Sequence, residues 1–200
     1  MQNLSAIDLN LFFSTLPLVV DTWRDKDPQR VHIESISIEN TTLGDPLFQA
    51  LLDCIVSIPS LHSLTILPAT TEKWVMKDPQ FIQLMDVLST HCCPDFDSLR
   101  IPHQHISKKG LQSLLSLFQK NTLHKWYDLD LSYNEIGEKG GQVLASLFDH
   151  LSQTLLIQRL RVGGNKLRGS GGLRLLEALG SEERVMLQEL DLSGETRRVV

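Results

Sequence analysis

LDLSYNEIGEKGGQVLASLF, from Leu129 to Phe148, and LRVGGNKLRGSGGLRLLEAL, from Leu160 to Leu179, are two copies of one twenty-residue pattern. Counted from the leading leucine, both have apolar side chains at positions 1, 3 and 8, and asparagine at position 6 (Asn134, Asn165). Glycine stands at position 12 (Gly140, Gly171) and leucine at position 16 (Leu144, Leu175). Self-similarity at a fixed period marks a repeat architecture, in which each unit is one supersecondary element.

The alternating pair Leu129 and Leu131 reads as a short strand that sends two side chains to one side. Gly140, Leu144, Leu147 and Phe148 follow with helical spacing, so one face of a helix turns the same way. A single unit covers neither face, whereas stacking the next unit covers both. Strands separated by helices then run parallel, and because a helix is wider than a strand the stack curves with its strands inside. Asn134 and Asn165 stand where the strand bends away, suited to satisfying backbone groups freed there.

The frame extends both ways. LRIPHQHISKKGLQSLLSLF, from Leu99, keeps Leu99, Ile101, Ile106, Gly110 and Leu114, with Gln104 in the asparagine place. ISIENTTLGDPLFQALLDCI, from Ile36, keeps Ile36, Ile38, Leu43 and Leu51, with Thr41 for asparagine and Leu47 for glycine. LTILPATT, from Leu64, supplies a strand before an enlarged connection through TTEKWVMKDPQ and a helix over 81–88; LDLSGE, from Leu190, begins another unit. The leading positions Ile36, Leu64, Leu99, Leu129, Leu160 and Leu190 are spaced by 28, 35, 30, 31 and 30 residues. Residues 1–30 match poorly and are expected to form an N-terminal cap or degenerate first repeat, with the repeat domain spanning 31–200.

A unit of this length with the form LxLxxNxLxxxGxxxL resembles the ribonuclease-inhibitor-like subfamily of leucine-rich repeats, closely in two units and loosely in the others. The resemblance implies an α/β fold, a curved leucine-rich-repeat solenoid or horseshoe segment with a parallel inner sheet and outer helices. Such repeats occur in ribonuclease inhibitors, nucleotide-binding innate receptors, activators of the Ran GTPase, tropomodulins and ubiquitin-ligase adaptors. They identify the scaffold and hardly the task.

Composition narrows the task. The chain is 42% hydrophobic and 22% charged, enough for a core and without a long charge run. A net charge of −5 with no basic stripe argues against nucleic acid. LFFSTLPLVV lacks a basic leader and is too short to span a bilayer, so no membrane association is expected and the cytoplasm, or the nucleus, is the expected location. Cys54, Cys92 and Cys93 do not make a disulfide framework. His103 and His105 form an HxH pair near His91, Cys92 and Cys93, but a structural zinc needs four well-placed ligands. GGNKLRGSGG has its glycines at repeat positions and no GKS or GKT, and no nucleophile–base set can be assembled. No cofactor and no enzymatic activity are expected. VLSTHCCPDF, from Val87, weakly resembles an elongin-binding box through Leu88 and Cys92, and departs from it at Val87 and Phe96.

The expected work is recognition of a protein partner on the inner face. Between each apolar pair stand Ser37, Thr65, Arg100, Asp130, Arg161 and Asp191, and before it Ser35, Ser63, Ser98, Asp128, Arg159 and Glu189. With strands about 4.8 Å apart, Arg100–Asp130–Arg161–Asp191 is expected to form a lateral ladder, mainly of self-neutralising pairs and partly a polar recognition surface. His103 and Tyr133 share one unit position at the edge of that face, while Trp126 holds an apolar lead-in position with Leu61, Phe96, Ile157 and Leu187. Aromatics beside arginine are the composition of an interface hot spot. Arg100, His103, Asp130, Tyr133, Arg159 and Arg161 are therefore the expected partner contacts. The alternative task is substrate recognition or sensing within a larger ubiquitin-ligase adaptor or innate receptor. LDLSGETRRVV ends just after a strand, so a fragment, a shortened isoform, or self-association through an uncapped C-terminal end is also expected.

Overall fold

Strict alternation makes the first strand: in β1 (Ser35–Glu39) Ile36 and Ile38 are buried while Ser35, Ser37 and Glu39 face out. The same pairing of apolar side chains recurs five more times. β2 (Ser63–Leu67), β3 (Ser98–Arg100), β4 (Lys125–Asp130), β5 (Leu156–Arg161) and β6 (Glu189–Asp191) follow, and the six strands lie in one parallel sheet in sequence order. These elements belong to a computed structural model that describes residues 11–16, 18, 33–39, 43–68, 75–91, 96–120, 125–150, 156–180 and 187–194. Ile36, Leu64, Leu99, Leu129, Leu160 and Leu190 are register partners one after another, the leading positions of the sequence frame.

Helices alternate with the strands. Residues 11–16 form α1, and α2 (Asp45–Val56), α3 (Asp78–His91), α4 (Lys108–Lys120), α5 (Gly137–His150) and α6 (Arg168–Leu179) each follow one strand. Each of α2 to α6 packs on the next, in the order of the strands. Among the described residues no helix is long and apolar enough to cross a membrane.

The enlarged connection after β2 leaves the stack intact. Helix α3 starts at Asp78, three residues before the Phe81 start expected from sequence, and Met76 just ahead of it is fully buried. Lys77 bridges His105 in parallel, as Ser107 bridges Glu135 one unit later. The extra residues are thus inserted between strand and turn, and Met76 re-enters the frame at the place held by Ile106 and Ile136. Residues 69–74 lie outside the described part.

Between sheet and helices runs one continuous apolar core. Trp126 belongs to it, with its ring edge-on to Phe96 (5.8 Å) and Phe118 (4.9 Å). Phe13 of α1 is buried in the same core; of the rest of the expected cap, residues 1–10, 17 and 19–30 lie outside the described part. The helices are also tied at their starts. Asp78 accepts hydrogen bonds from Ser107 N (2.7 Å) and Ser107 Oγ (2.6 Å), joining α3 to α4, and Ser170 Oγ donates to Glu138, joining α5 to α6.

Candidate protein-binding face of the sheet

Where β3, β4 and β5 end, a polar side chain turns back into the stack. Asn165, fully buried, accepts hydrogen bonds from Asn134 N (3.0 Å) and Ile136 N (3.4 Å), and its amide donates to the carbonyls of Leu131, Val162 and Gly163. Asn134 repeats this one unit earlier: it accepts from Ile106 N (3.1 Å) and donates to Ile101, Leu131 and Ser132 carbonyls. Gln104 continues the row by accepting from Met76 N (2.6 Å). Each side chain serves backbone groups of two neighbouring units, groups that would otherwise be buried without partners.

The residue just before this one carries the exposed part of the face. His103 (φ 57°) and Tyr133 (φ 55°) adopt the left-handed conformation, and the same unit position is glycine in the next two units, Gly164 (φ 69°) and Gly194 (φ 75°). Their rings stack, centroids 4.4 Å apart and 3° from parallel, and both are exposed. Gly164 lies close behind: a Cβ there would sit 2.5 Å from Tyr133 Cδ1. Gly164→Ala is expected to cost roughly 1–3 kcal/mol through backbone strain and to push the Tyr133 ring aside. Unfolding midpoint and Tyr133 ring chemical shifts check this; an unchanged midpoint contradicts it.

The charged row keeps part of the lateral ladder expected of it, with Asp130 Oδ2 3.8 Å from Arg100 Nε and 3.9 Å from Arg161 Nη1, but its hydrogen bonds run elsewhere. Arg161 reaches diagonally, Nη1 to both Asp128 carboxylate oxygens (3.0 and 3.1 Å), Nε and Nη2 to the two of Glu189 (2.8 and 3.1 Å). Its direct register partners are engaged elsewhere: Asp130 Oδ1 accepts from Ser132 N (3.0 Å) and Oγ (2.6 Å), and Asp191 from Ser193 N (2.7 Å). These local turns take the row's carboxylates and leave Arg161 to the row before it. Asp128, Asp130, Ser98 and Thr65 are buried instead of exposed, and the arginines beside the two aspartates lie across their carboxylates. Asp130 therefore supports the surface from beneath, and the Arg161 side chain is only 20% exposed, with all three guanidinium nitrogens hydrogen-bonded. Arg159 lies over the exposed Tyr127 ring at 4.7 Å and 3.6 Å from Glu189.

Burial pushes the Asp128 carboxyl up, with Arg161 and Arg100 opposing. Hydrogen bonding to Arg161 holds Glu189 below the ordinary carboxylate range, and the Ser193 backbone N–H does so for Asp191. A lowered carboxyl stabilises the fold above its unfolded value, and that contribution is lost as pH falls through the folded one. Asp128 has the opposite sign, its ionisation costing stability as pH rises past the ordinary aspartate value. Glu189→Gln with Asp191→Asn should flatten the acid side of the stability profile; an unchanged slope in denaturant midpoints on acidification contradicts this.

Residues 128–145 match the leucine-rich-repeat family model. The match covers the end of β4, the Tyr133–Asn134 turn and the first part of α5. No curated protein matches the chain. The leucine-rich repeat so identified contains Asp128, Asp130, Tyr133 and Asn134 of the candidate face.

Sequence reading missed several contributors. Asp128 and Glu189, which hold Arg161, stood in the second row but were given no role, because register alone does not reveal a diagonal reach. The stacking of Tyr127 under Arg159 has no signature in spacing. Gly164 was legible in hindsight: Gly164 and Gly194 fall in the unit position of His103 and Tyr133, a signal of left-handed backbone. His103 and His105 separate, one stacking on Tyr133, the other with Nδ1 2.6 Å from Glu135 Oε1. Among the described residues no three metal-ligating side chains gather. Residues 92–95 of the box-like stretch, Cys92 and Cys93 among them, lie outside the described part, while its Leu88 and Phe96 are core residues.

Proposed function

We propose that this chain is a non-catalytic interaction scaffold that binds a protein partner on the strand face and its adjoining turns. The leucine-rich repeat supports this, since modules of that kind are in general interaction modules. One observation carries it: a position that strains any residue but glycine holds two stacked, exposed aromatic rings, His103 and Tyr133. Strain of this kind clusters at ligand clamps. Large rigid rings beside arginines give contact area at low ordering cost.

The shape belongs to the same proposal. Strands lie about 4.8 Å apart and packed helices about 8–10 Å apart. Strands and helices stacked in one common order therefore bend with the sheet inside, giving the curved solenoid of the ribonuclease-inhibitor-like subfamily. Residues 1–30 are assigned to its N-terminal cap or a degenerate first repeat, and the cytoplasm is the location proposed.

Affinity capture with cross-linking tests the face. Tyr133→Ala combined with Arg100→Glu is expected to weaken capture by more than about 2 kcal/mol, while Gln112→Glu and Gln142→Glu on exposed helix positions change little. All variants are first checked for wild-type unfolding midpoints. Normal capture by the folded face variant, with loss in the helix variants, assigns binding to the other side.

A further inference from the structure

The arginines of the strand face differ in what they still have to give. All three guanidinium nitrogens of Arg161 are hydrogen-bonded to Asp128 and Glu189. Arg159 lays its face on the Tyr127 ring and lies 3.6 Å from Glu189, a charge contact just beyond hydrogen-bond range. Arg100 is different. Its Nε is buried with no hydrogen-bond partner, and the nearest carboxylate oxygens, of Asp130 and Asp128, are 3.8 and 3.9 Å away, outside hydrogen-bond reach. Those two acids are already committed, Asp128 to Arg161 and Asp130 to Ser132. The Arg100 side chain is nonetheless 42% exposed.

On its other side Arg100 has a neutral neighbour. Its register partner in β2 is Thr65, and Ser98 opposite Ser63 keeps that flank free of carboxylates. No carboxylate stands at those register positions to repel an incoming anion. Three residues beyond Arg100 on the same chain segment stands His103, stacked on Tyr133. A guanidinium binds a carboxylate with two parallel, charge-assisted hydrogen bonds, and the exposed part of the Arg100 side chain is where a visitor meets it.

Resting on the interaction reading above, we propose that Arg100 receives the carboxylate of an acidic residue in an extended segment of the partner. An aromatic or large apolar side chain a few positions away in that segment packs on the His103–Tyr133 rings. The occupant is thus an acidic protein segment, and Arg161 is a spacer that fixes the sheet surface without touching it.

A displayed library of random linear twelve-residue peptides, selected on the intact chain, tests this. Selected peptides should be enriched in Asp or Glu near an aromatic or leucine, and should bind Arg100→Gln at least about tenfold more weakly than wild type. Selection on Arg100→Glu should replace the acidic residue by Lys or Arg; if that variant fails to fold, Arg100→Gln alone supplies the comparison. Peptides that lose binding in Tyr133→Ala but carry no acidic preference overturn the Arg100 assignment and leave the face reading standing. Peptides indifferent to both variants overturn both, and a selection that enriches nothing overturns the acidic-segment inference.

Discussion

Asn165→Ala is expected to lower stability by about 3 kcal/mol, the top of the range for leaving buried polar groups unpaired. Its side chain accepts from Asn134 N and Ile136 N and donates to three carbonyls, and it is fully buried. Alanine supplies none of these bonds, and the site is sealed between two units, so backbone groups of both are left without partners. Gln104→Ala should cost less, since its oxygen meets one amide, Met76 N, and its amide one carbonyl, Pro102 O at 3.3 Å. Denaturant unfolding measures both. An Asn165→Ala midpoint equal to wild type contradicts the turn network as the tie between units.

Gly171→Ala should cost a comparable amount, about 3 kcal/mol, the upper end for overpacking. A Cβ on Gly171 would sit 2.5 Å from Glu138 O, and one on Gly141 would sit 2.9 Å from the Gly171 carbonyl carbon. Both obstacles are backbone, which moves only if α6 is pushed off α5. Gly172→Ala is the matched control: nothing lies within 4 Å of its added carbon, and alanine is the better helix former. Gly172→Ala should therefore hold or slightly raise stability. Equal effects of the two substitutions contradict the close helix contact.

The fold was legible because repetition multiplies a weak signal. Leu129, Leu131, Asn134 and Leu144 alone are an ordinary pattern; their return as Leu160, Val162, Asn165 and Leu175 fixes both the strand register and the helix faces. Spacing also placed Gly140 and Gly171 at one unit position, but the contact between helices is made by Gly141 against Gly171, a pairing that depends on how neighbouring helices are staggered. The candidate face was less legible. Position in a strand gives the side of the sheet, and so found Arg100, Arg159 and Arg161. It does not give the reach of a long side chain, so it missed that Arg161 passes its direct partners for Asp128 and Glu189. Nor does it reveal burial by neighbours, which is why Asp130 was expected to be exposed.

The central claim, that partners are held on the strand face, is tested most directly by placing a photoreactive phenylalanine analogue at single positions of the full chain. Tyr133 marks the strand face and Gln142 an exposed position on helix α5. Irradiation in cell extract should give a discrete covalent adduct from position 133 and none from position 142. An adduct from position 142 with none from position 133 would place the partner on the helices and contradict the account.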